Sequence, residues 1–297
     1  MTKATGAQAR DIELSRPRQA ESGPGLLTRL WRRTFAKAHL LPRALAFVND
    51  PSIGRDYGIG RREKLRLLLT FARNIRSVEN LCTVPEHLEL AAAILRLPRT
   101  MPGDVVECGC YVGSMSVNLS LACKLAGRRL IICDSFQGLP PPKDYDRAHH
   151  AVHTGHTDEY WEGRFAASLD LVKDNLRRYG ALDVCDFVVG FYDESLKDFD
   201  RPTALAFLDV DLIDSVKPCI EAIWPRMAPG SRMYVHEARN LPLVAVFYDN
   251  AYWRAAVGQD APGFVGAGTG LPLSAHIGSE IGYAQKGAER ERLQAAA

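Results

Sequence analysis

Residues 207–215 read FLDVDLIDS and set Asp209, Asp211 and Asp214 within six positions. Alternation along a strand points Asp209 and Asp211 to one side. Two carboxylates on one face of a buried strand are costly unless a cation or hydrogen-bond donors meet them. Asp214, followed by Ser215, reads as a helix start. Further on, YVHEARN places His236 beside Glu237. Together these are groups that bind a divalent ion or take a proton: Asp211 is the candidate base, and Asp209, His236 and Glu237 are the candidate ligands, with His236 as ligand or base. Neighbours on a strand point oppositely, so His236 and Glu237 reach one ion only if the strand ends before them. Imidazole suits zinc, iron or nickel better than magnesium.

A second group of residues reads as a binding element. Residues 105–116, VVECGCYVGSMS, contain E-x-G-x-x-x-G, with Glu107 at the end of an apolar run and Gly109 and Gly113 four apart. Gly109 permits a tight turn, Gly113 permits close approach of the following helix to a ligand, and Ser114 and Ser116 are candidate caps for that helix. This is neither G-x-G-x-x-G nor the G-x-x-x-x-G-K-[ST] phosphate loop. A carboxylate at the turn disfavours pyrophosphate and favours a ligand with an ammonium group, which S-adenosylmethionine carries. The next apolar run, RLIICD, ends on Asp134, placed to accept both hydroxyls of a ribose. That acid serves NAD equally well, so it points to an adenosine ligand rather than to its chemistry.

These residues need a scaffold that brings strand ends together. Five short apolar runs, 104–108, 129–134, 184–189, 204–210 and 232–237, alternate with helical patterns at 114–126, 162–179 and 214–227. Such alternation predicts a parallel sheet covered on both faces, and ligands of open parallel sheets bind beyond the carboxyl ends of the strands. Two amphipathic helices, 61–75 and 84–97, precede the first strand. The Gly-rich tail, 263–286, reads as strands joined by a turn, an antiparallel pair at one sheet edge. Residues 26–48 carry apolar positions at helical spacing among Arg and Lys. They read as a helix packing on its own domain or on a second copy rather than on a membrane surface, with Pro42 interrupting it.

Composition narrows the classes. The chain has 297 residues, 46% hydrophobic and 24% charged, with a net charge of +2. Bulk electrostatics therefore do not favour nucleic acid. No run of eighteen apolar residues predicts a membrane span, and the N-terminus lacks the apolar centre of a secretory signal. The seven cysteines are an odd count. Cys108, Cys133 and Cys185 fall in strand-like runs, as buried thiols of a reducing compartment do, so the expected location is cytoplasmic.

In order, DVVECGCYVGSMSVNLS, DSFQGLPPP, VKDNLRRYG, FVVGFYDESL and LDVDLIDS resemble the macrocin O-methyltransferase family of class I S-adenosylmethionine-dependent methyltransferases. DSFQGLP, close to the family's D-[ST]-F-E-G-L-P, is the most specific piece, and the resemblance covers roughly residues 80–286. It implies an α/β, Rossmann-like, doubly wound seven-stranded sheet with the last strand antiparallel, occupying residues 80–288. Residues 1–25 read as a mobile segment, 26–79 as N-terminal helices and 289–297 as a tail. By match of motif, Glu107, Gly109, Tyr111, Gly113 and Ser114 would surround the methionine part of the donor. Asp134, Ser135 and Phe136 would hold the ribose and flank the ring, with Gly190, Phe191 and Asp193 near adenine. Sugar-methylating members use Mg2+ held by acids after the fourth and fifth strands. Here Asp209 keeps the first of these, and His236–Glu237 stands where the family has a pair of acids.

The resemblance implies O-methylation of a small-molecule acceptor, a sugar or natural-product hydroxyl. Nitrogen or carbon methylation, and a donor-binding protein that has lost catalysis, remain open at this stage; an NAD-dependent oxidoreductase lacks its glycine fingerprint. An alcohol with a pKa near 15.7 facing an Asp near 3.9 leaves about 12 units, or roughly 16 kcal/mol, against full proton transfer in advance. A divalent metal, a base of raised pKa, or proton loss concerted with methyl transfer would each lower that barrier. HHAVHTGHTDEYWEGRF (149–165) carries His149, His150, His153 and His156 and reads as a lid. In it Tyr160 and Trp161 either pack on the acceptor or anchor the lid. The basic N-terminal helices suggest a homodimer.

Overall fold

Each continuous apolar run becomes a strand, and the first four stop where a glycine or a carboxylate turns the chain. The computed structural model describes residues 41–146, 160–271 and 279–287. After helical residues 41–49 come α1 (Arg61–Ser77) and α2 (Val84–Arg96). The alternating part runs β1 (Asp104–Cys108), α3 (Ser114–Ala126), β2 (Leu130–Asp134), α4 (Leu169–Tyr179), β3 (Cys185–Val189), α5 (Tyr192–Ser195), β4 (Thr203–Leu208), α6 (Ile213–Ile223) and β5 (Met227–Val235). Short helices α7 (Leu241–Ala245) and α8 (Asn250–Ala256) lead to β6 (Gly282–Gln285).

The sheet order is β3-β2-β1-β4-β5-β6. Strands β1 to β5 are mutually parallel and β6 runs antiparallel to β5. The direction of winding reverses between β1 and β4, so a crevice opens above their carboxyl ends. Period-two alternation divides the strand residues between two cores. Val105, Leu130, Ile132, Leu205, Phe207 and Tyr234 share one with α1 to α4. Val106, Cys108, Ile131, Cys133, Leu208 and Val235 share the other with α6, Trp224 and Trp253. Burying a side chain such as Phe207 contributes about 1.5–3 kcal/mol.

The seven-stranded sheet expected from the sequence is six-stranded among the described residues. Where a seventh strand would extend the edge, Val265 makes a single bridge to Tyr283. Gly263 and Gly266 flank it with φ of 77° and 95°, outside the extended region, so the ladder cannot lengthen. The other half of the expected tail pair, residues 272–278, lies outside the described residues, as do residues 1–40, 288–297 and the histidine cluster 149–156.

Several boundaries differ from the sequence reading. The helix expected over 162–179 starts only at Leu169, capped by Ser168 Oγ accepting from Leu171 N, because Gly163 and Phe165 are left-handed at φ of 81° and 62°. The helix expected to 227 ends at Ile223 and tightens into a 3-10 turn, Trp224–Arg226. Helix α3 is capped by Gly113 in a left-handed conformation, not by a serine side chain. Pro42 lies among helical residues, and Phe47 of that stretch is buried in the first core. All seven cysteines are free and buried. No helix among the described residues is long and apolar enough to cross a membrane.

Candidate active site

The crevice above β1, β2, β4 and β5 is a cavity of about 250 Å3. Its floor at the β1 end is the Gly109–Val112 turn. Gly109 has φ 83°, and a Cβ there would stand 1.8 Å from the Asp209 carbonyl oxygen. The glycine thus lets the turn after β1 and the turn after β4 touch. Gly113 does something else: a Cβ there would meet Val172 Cγ1 at 3.1 Å, so it admits α4 rather than a ligand.

Asp134 ends β2 and gathers the neighbouring backbone. Its Oδ2 accepts from Cys110 N at 2.7 Å and its Oδ1 from Phe136 N at 2.7 Å. These bonds fix the β1 turn against the β2 turn and leave carboxylate lone pairs toward the cavity. Ser135 Oγ accepts from Gln137 N and donates to Gly138 O. Gly109, Tyr111, Ser114, Asp134, Ser135 and Phe191 all line the cavity.

Other sequence candidates stand behind the wall rather than in it. Phe136, turned left-handed at φ 56°, packs on Phe187 of β3 with ring centroids 6.4 Å apart. Gly190 turns the chain beside Ser195, whose Cβ lies 3.1 Å from where its own would be. Glu107 is fully buried under the β1 turn with neither carboxylate oxygen partnered. Burial pushes its carboxyl up to about 8.

At the β4 and β5 end, the reactive groups converge. Strand β4 stops at Leu208, so Asp209 and Asp211 sit on the turn beyond it, and both face the cavity. Asp211 is itself left-handed at φ 60°, and its Oδ1 accepts from Tyr160 OH at 2.9 Å. Burial, reinforced by the charge of Asp209, pushes the Asp211 carboxyl up to about 6. Asp214 belongs to α6 and is held by Tyr145 OH at 2.7 Å and by Lys143.

Strand β5 ends at Val235, immediately before His236, so His236 and Glu237 are free of strand alternation. His236 Nδ1 lies 3.3 Å from Asp209 Oδ1 and 3.6 Å from Glu237 Oε1. On the ring's other edge, Nε2 lies 3.7 Å from Cys82 Sγ and 3.9 Å from Glu86 Oε2. Burial opposes charge on the imidazole, but Asp209 and Cys82 outweigh it and raise His236 well above its ordinary value. Glu237 is buried behind His236 with neither oxygen in a hydrogen bond, and burial pushes it up to about 8.

The sequence reading did not single out Cys82, Glu86, Arg164 or Tyr192, though Cys82, Arg164 and Tyr192 line the cavity. Segment 79–82 enters through a polar chain between helices. Asn74 Nδ2 donates to Asn118 Oδ1, Asn118 Nδ2 meets His87 Nδ1, and His87 Nε2 meets Asn80 Oδ1. Each residue alone is an ordinary helix or loop position. Only the T-V-P-E capping signal at Thr83–Glu86 marked the place where this segment turns.

The profile of the macrocin-O-methyltransferase (TylF) family matches residues 87–260, more than half of the chain. The chain belongs to this family. A curated relative is 8-demethyl-8-(2,3-dimethoxy-alpha-L-rhamnosyl)-tetracenomycin-C 4'-O-methyltransferase of Streptomyces olivaceus. It is 31% identical over 144 residues, which are 46% of this chain and 53% of that one. The chain thus spans about half the length of the curated relative it matches. Two solved structures share the fold. The O-methyltransferase NovP has a TM-score of 0.54 at 20% identity, covering 70% of this chain and 84% of that one. The calicheamicin methyltransferase CalS11 has a TM-score of 0.52 at 19% identity, covering 96% and 100%. The matched span contains every candidate site residue named above except those of the segment at 79–86.

Proposed function

We propose that this protein transfers a methyl group from S-adenosylmethionine to a hydroxyl on a sugar or sugar-bearing natural product. The observation that carries the reading is one continuous cavity. It joins the Gly109 turn and Asp134, suited to an adenosyl donor, to Asp209, Asp211 and His236, suited to a hydroxyl acceptor. The rhamnosyl group named in the tetracenomycin relative supports a deoxysugar hydroxyl as the acceptor class.

The donor supplies a sulfonium methyl that leaves behind a neutral thioether. The protein's part is alignment and removal of the hydroxyl proton. Asp134 would accept from the ribose hydroxyls, and Glu107, giving up its proton as the donor binds, would favour the donor's ammonium above the turn. The acceptor oxygen would form its bond to the methyl carbon as the sulfur–carbon bond breaks, while its proton passes to Asp211.

Tyr160 holds Asp211 Oδ1, which leaves Oδ2 for that proton. With Asp211 near 6, a hydroxyl near 15.7 still lies about 10 units above it, roughly 13 kcal/mol. Proton loss before methyl transfer is thus too costly, and the two are concerted. His236, held protonated between acids, is a source of positive charge rather than the base.

Asp209, Glu237 and Glu86 place three carboxylates around one imidazole. That arrangement requires a cation, supplied by the imidazolium or by a divalent metal. The unpartnered buried oxygens of Glu237 fit the second reading. Asp209, Glu237 and His236 Nδ1 would hold the ion, whose Lewis acidity would lower the hydroxyl pKa. Transfer of labelled methyl from S-adenosylmethionine to a rhamnosylated polyketide tests the activity. No donor binding by calorimetry would end the reading.

A further inference from the structure

The imidazole of His236 presents two edges to possible ligands, and the chain treats them differently. The Nδ1 edge faces Asp209 and Glu237, oxygen donors of the kind the family resemblance leads one to expect. The Nε2 edge faces a thiol. Cys82, Glu86 and His236 offer ligand atoms that all lie within 4.8 Å of one another. Cys82 Sγ is 3.7 Å from Nε2 and Glu86 Oε2 is 3.9 Å from it.

A tetrahedral zinc ion with a Zn–S bond of about 2.3 Å and a Zn–N bond of about 2.05 Å separates its sulfur and nitrogen by about 3.6 Å. The observed sulfur–nitrogen distance differs from that by a tenth or so, without side-chain movement. Glu86 is preset for the role: Oε1 accepts from Ser279 Oγ at 3.0 Å and Glu280 N at 2.9 Å, and Oε2 from Thr83 N at 2.7 Å. One lone pair on Oε2 remains for a cation.

The opposite edge completes the pattern. A metal-bound histidine characteristically donates its other ring N–H to a carboxylate, which orients the ring and raises its basicity. Asp209 Oδ1, 3.3 Å from Nδ1, stands where that carboxylate belongs.

We propose that Cys82, Glu86 and His236 Nε2, in place of the Nδ1 edge, form a thiolate-containing site for a divalent ion of zinc's class, with Asp209 orienting the ring rather than ligating. Binding releases two protons to solvent, one from the Cys82 thiol and one from Nε2 of the imidazolium. Three protein ligands leave a fourth position, and Cys82 and His236 both line the cavity, so that position opens toward the acceptor. A thiolate ligand selects zinc or cobalt over magnesium. The site joins residues 154 apart in sequence, the segment before α2 to the turn after β5. The proposal rests on this cluster and not on the methyl-transfer reading.

The test uses the full chain, stripped of metal and kept reduced, titrated with Co2+. A thiolate-to-cobalt charge-transfer band in the near ultraviolet, saturating at one ion per chain, is expected. Cys82→Ser should lose the band and weaken Zn2+ binding at least tenfold in competition with a chelating dye. X-ray absorption of the zinc-loaded wild type gives a readout independent of any variant, with one sulfur neighbour at about 2.3 Å expected. Cobalt binding without the band, a band that survives Cys82→Ser in a folded variant, or a zinc shell of nitrogen and oxygen alone would each overturn the proposal. Those results would leave the Nδ1 arrangement and the methyl-transfer reading standing.

Discussion

The carbonyl oxygen of Asp209 lies 1.8 Å from the point that a Cβ on Gly109 would occupy. The turn after β1 and the turn after β4 are therefore in backbone contact, and Asp209 N donates to Cys108 O at 2.8 Å just below. This contact sets the spacing between the donor end of the cavity and the acid cluster.

Gly109→Ala is therefore expected to be among the most damaging small substitutions in the chain. A left-handed alanine costs on the order of 1–3 kcal/mol in backbone strain, and the overlap with Asp209 forces the two turns apart. Thermal unfolding should show the loss of stability, and calorimetry should show donor affinity falling more than tenfold. A variant that binds donor normally would mean that the cavity tolerates a wider gap.

Glu107 makes stability depend on pH. Its folded-state value of about 8, against an ordinary 4.5, means that the folded protein keeps a proton which the unfolded chain has released. Stability of the donor-free protein falls as pH rises from 4.5 toward 8, by on the order of 5 kcal/mol at 1.36 kcal/mol per unit. Glu107→Gln should flatten this slope, so that the variant's melting temperature overtakes the wild type's as pH rises. Donor binding near pH 7 should release close to one proton in the wild type and none in Glu107→Gln, measured by calorimetry in buffers of different ionisation enthalpy.

Asp211→Asn removes the proposed base while preserving shape. General-base catalysis contributes about 10²–10⁴-fold, so kcat should drop within that range with donor affinity unchanged. Unaltered turnover would assign the proton to another group.

Tyr160→Phe deletes the hydroxyl that holds Asp211 Oδ1. A hydrogen bond to a charged group is worth about 1.5–3 kcal/mol. We expect kcat to fall at least tenfold, and the acid limb of the rate profile to move to higher pH as the carboxylate loses its donor. A fall in affinity alone would make Tyr160 a binding residue only.

His236→Asp restores an acid at the position where the family resemblance anticipates one. Magnesium should then support activity better than in the wild type, and zinc binding should weaken, as replacement of nitrogen by oxygen dictates. Titration of the wild type and the variant with each metal reads the exchange.

The strands, their order along the chain and the two turn acids could be read from sequence because they depend on local patterns. Apolar runs of five or six residues, glycines at the turns and acids at the ends of the first, second and fourth strands are visible one segment at a time. DSFQGLP and LDVDLIDS also carried the family. Local patterns failed where contact across the fold decides the outcome. Gly113 admits α4, Phe136 turns to the core, and Ser114 leaves the capping role to the left-handed glycine before it. Among the described residues the seventh strand does not extend beyond Val265, because Gly263 and Gly266 flank it in left-handed conformations.

The sequence by itself determined that a parallel sheet would present Asp134, Asp209 and Asp211 at its carboxyl edge, since strand length and alternation are properties of neighbouring residues. Only the tertiary structure decided what those acids face. Cys82 and Glu86 come to His236 from 154 and 150 positions away, carried there by the packing of α2 and the chain's turn after β5. Burial, which no local pattern specifies, then decides which acids keep their protons: Glu107 holds its own because no partner reaches it, whereas Glu86, bound by two backbone N–H groups and a hydroxyl, remains charged.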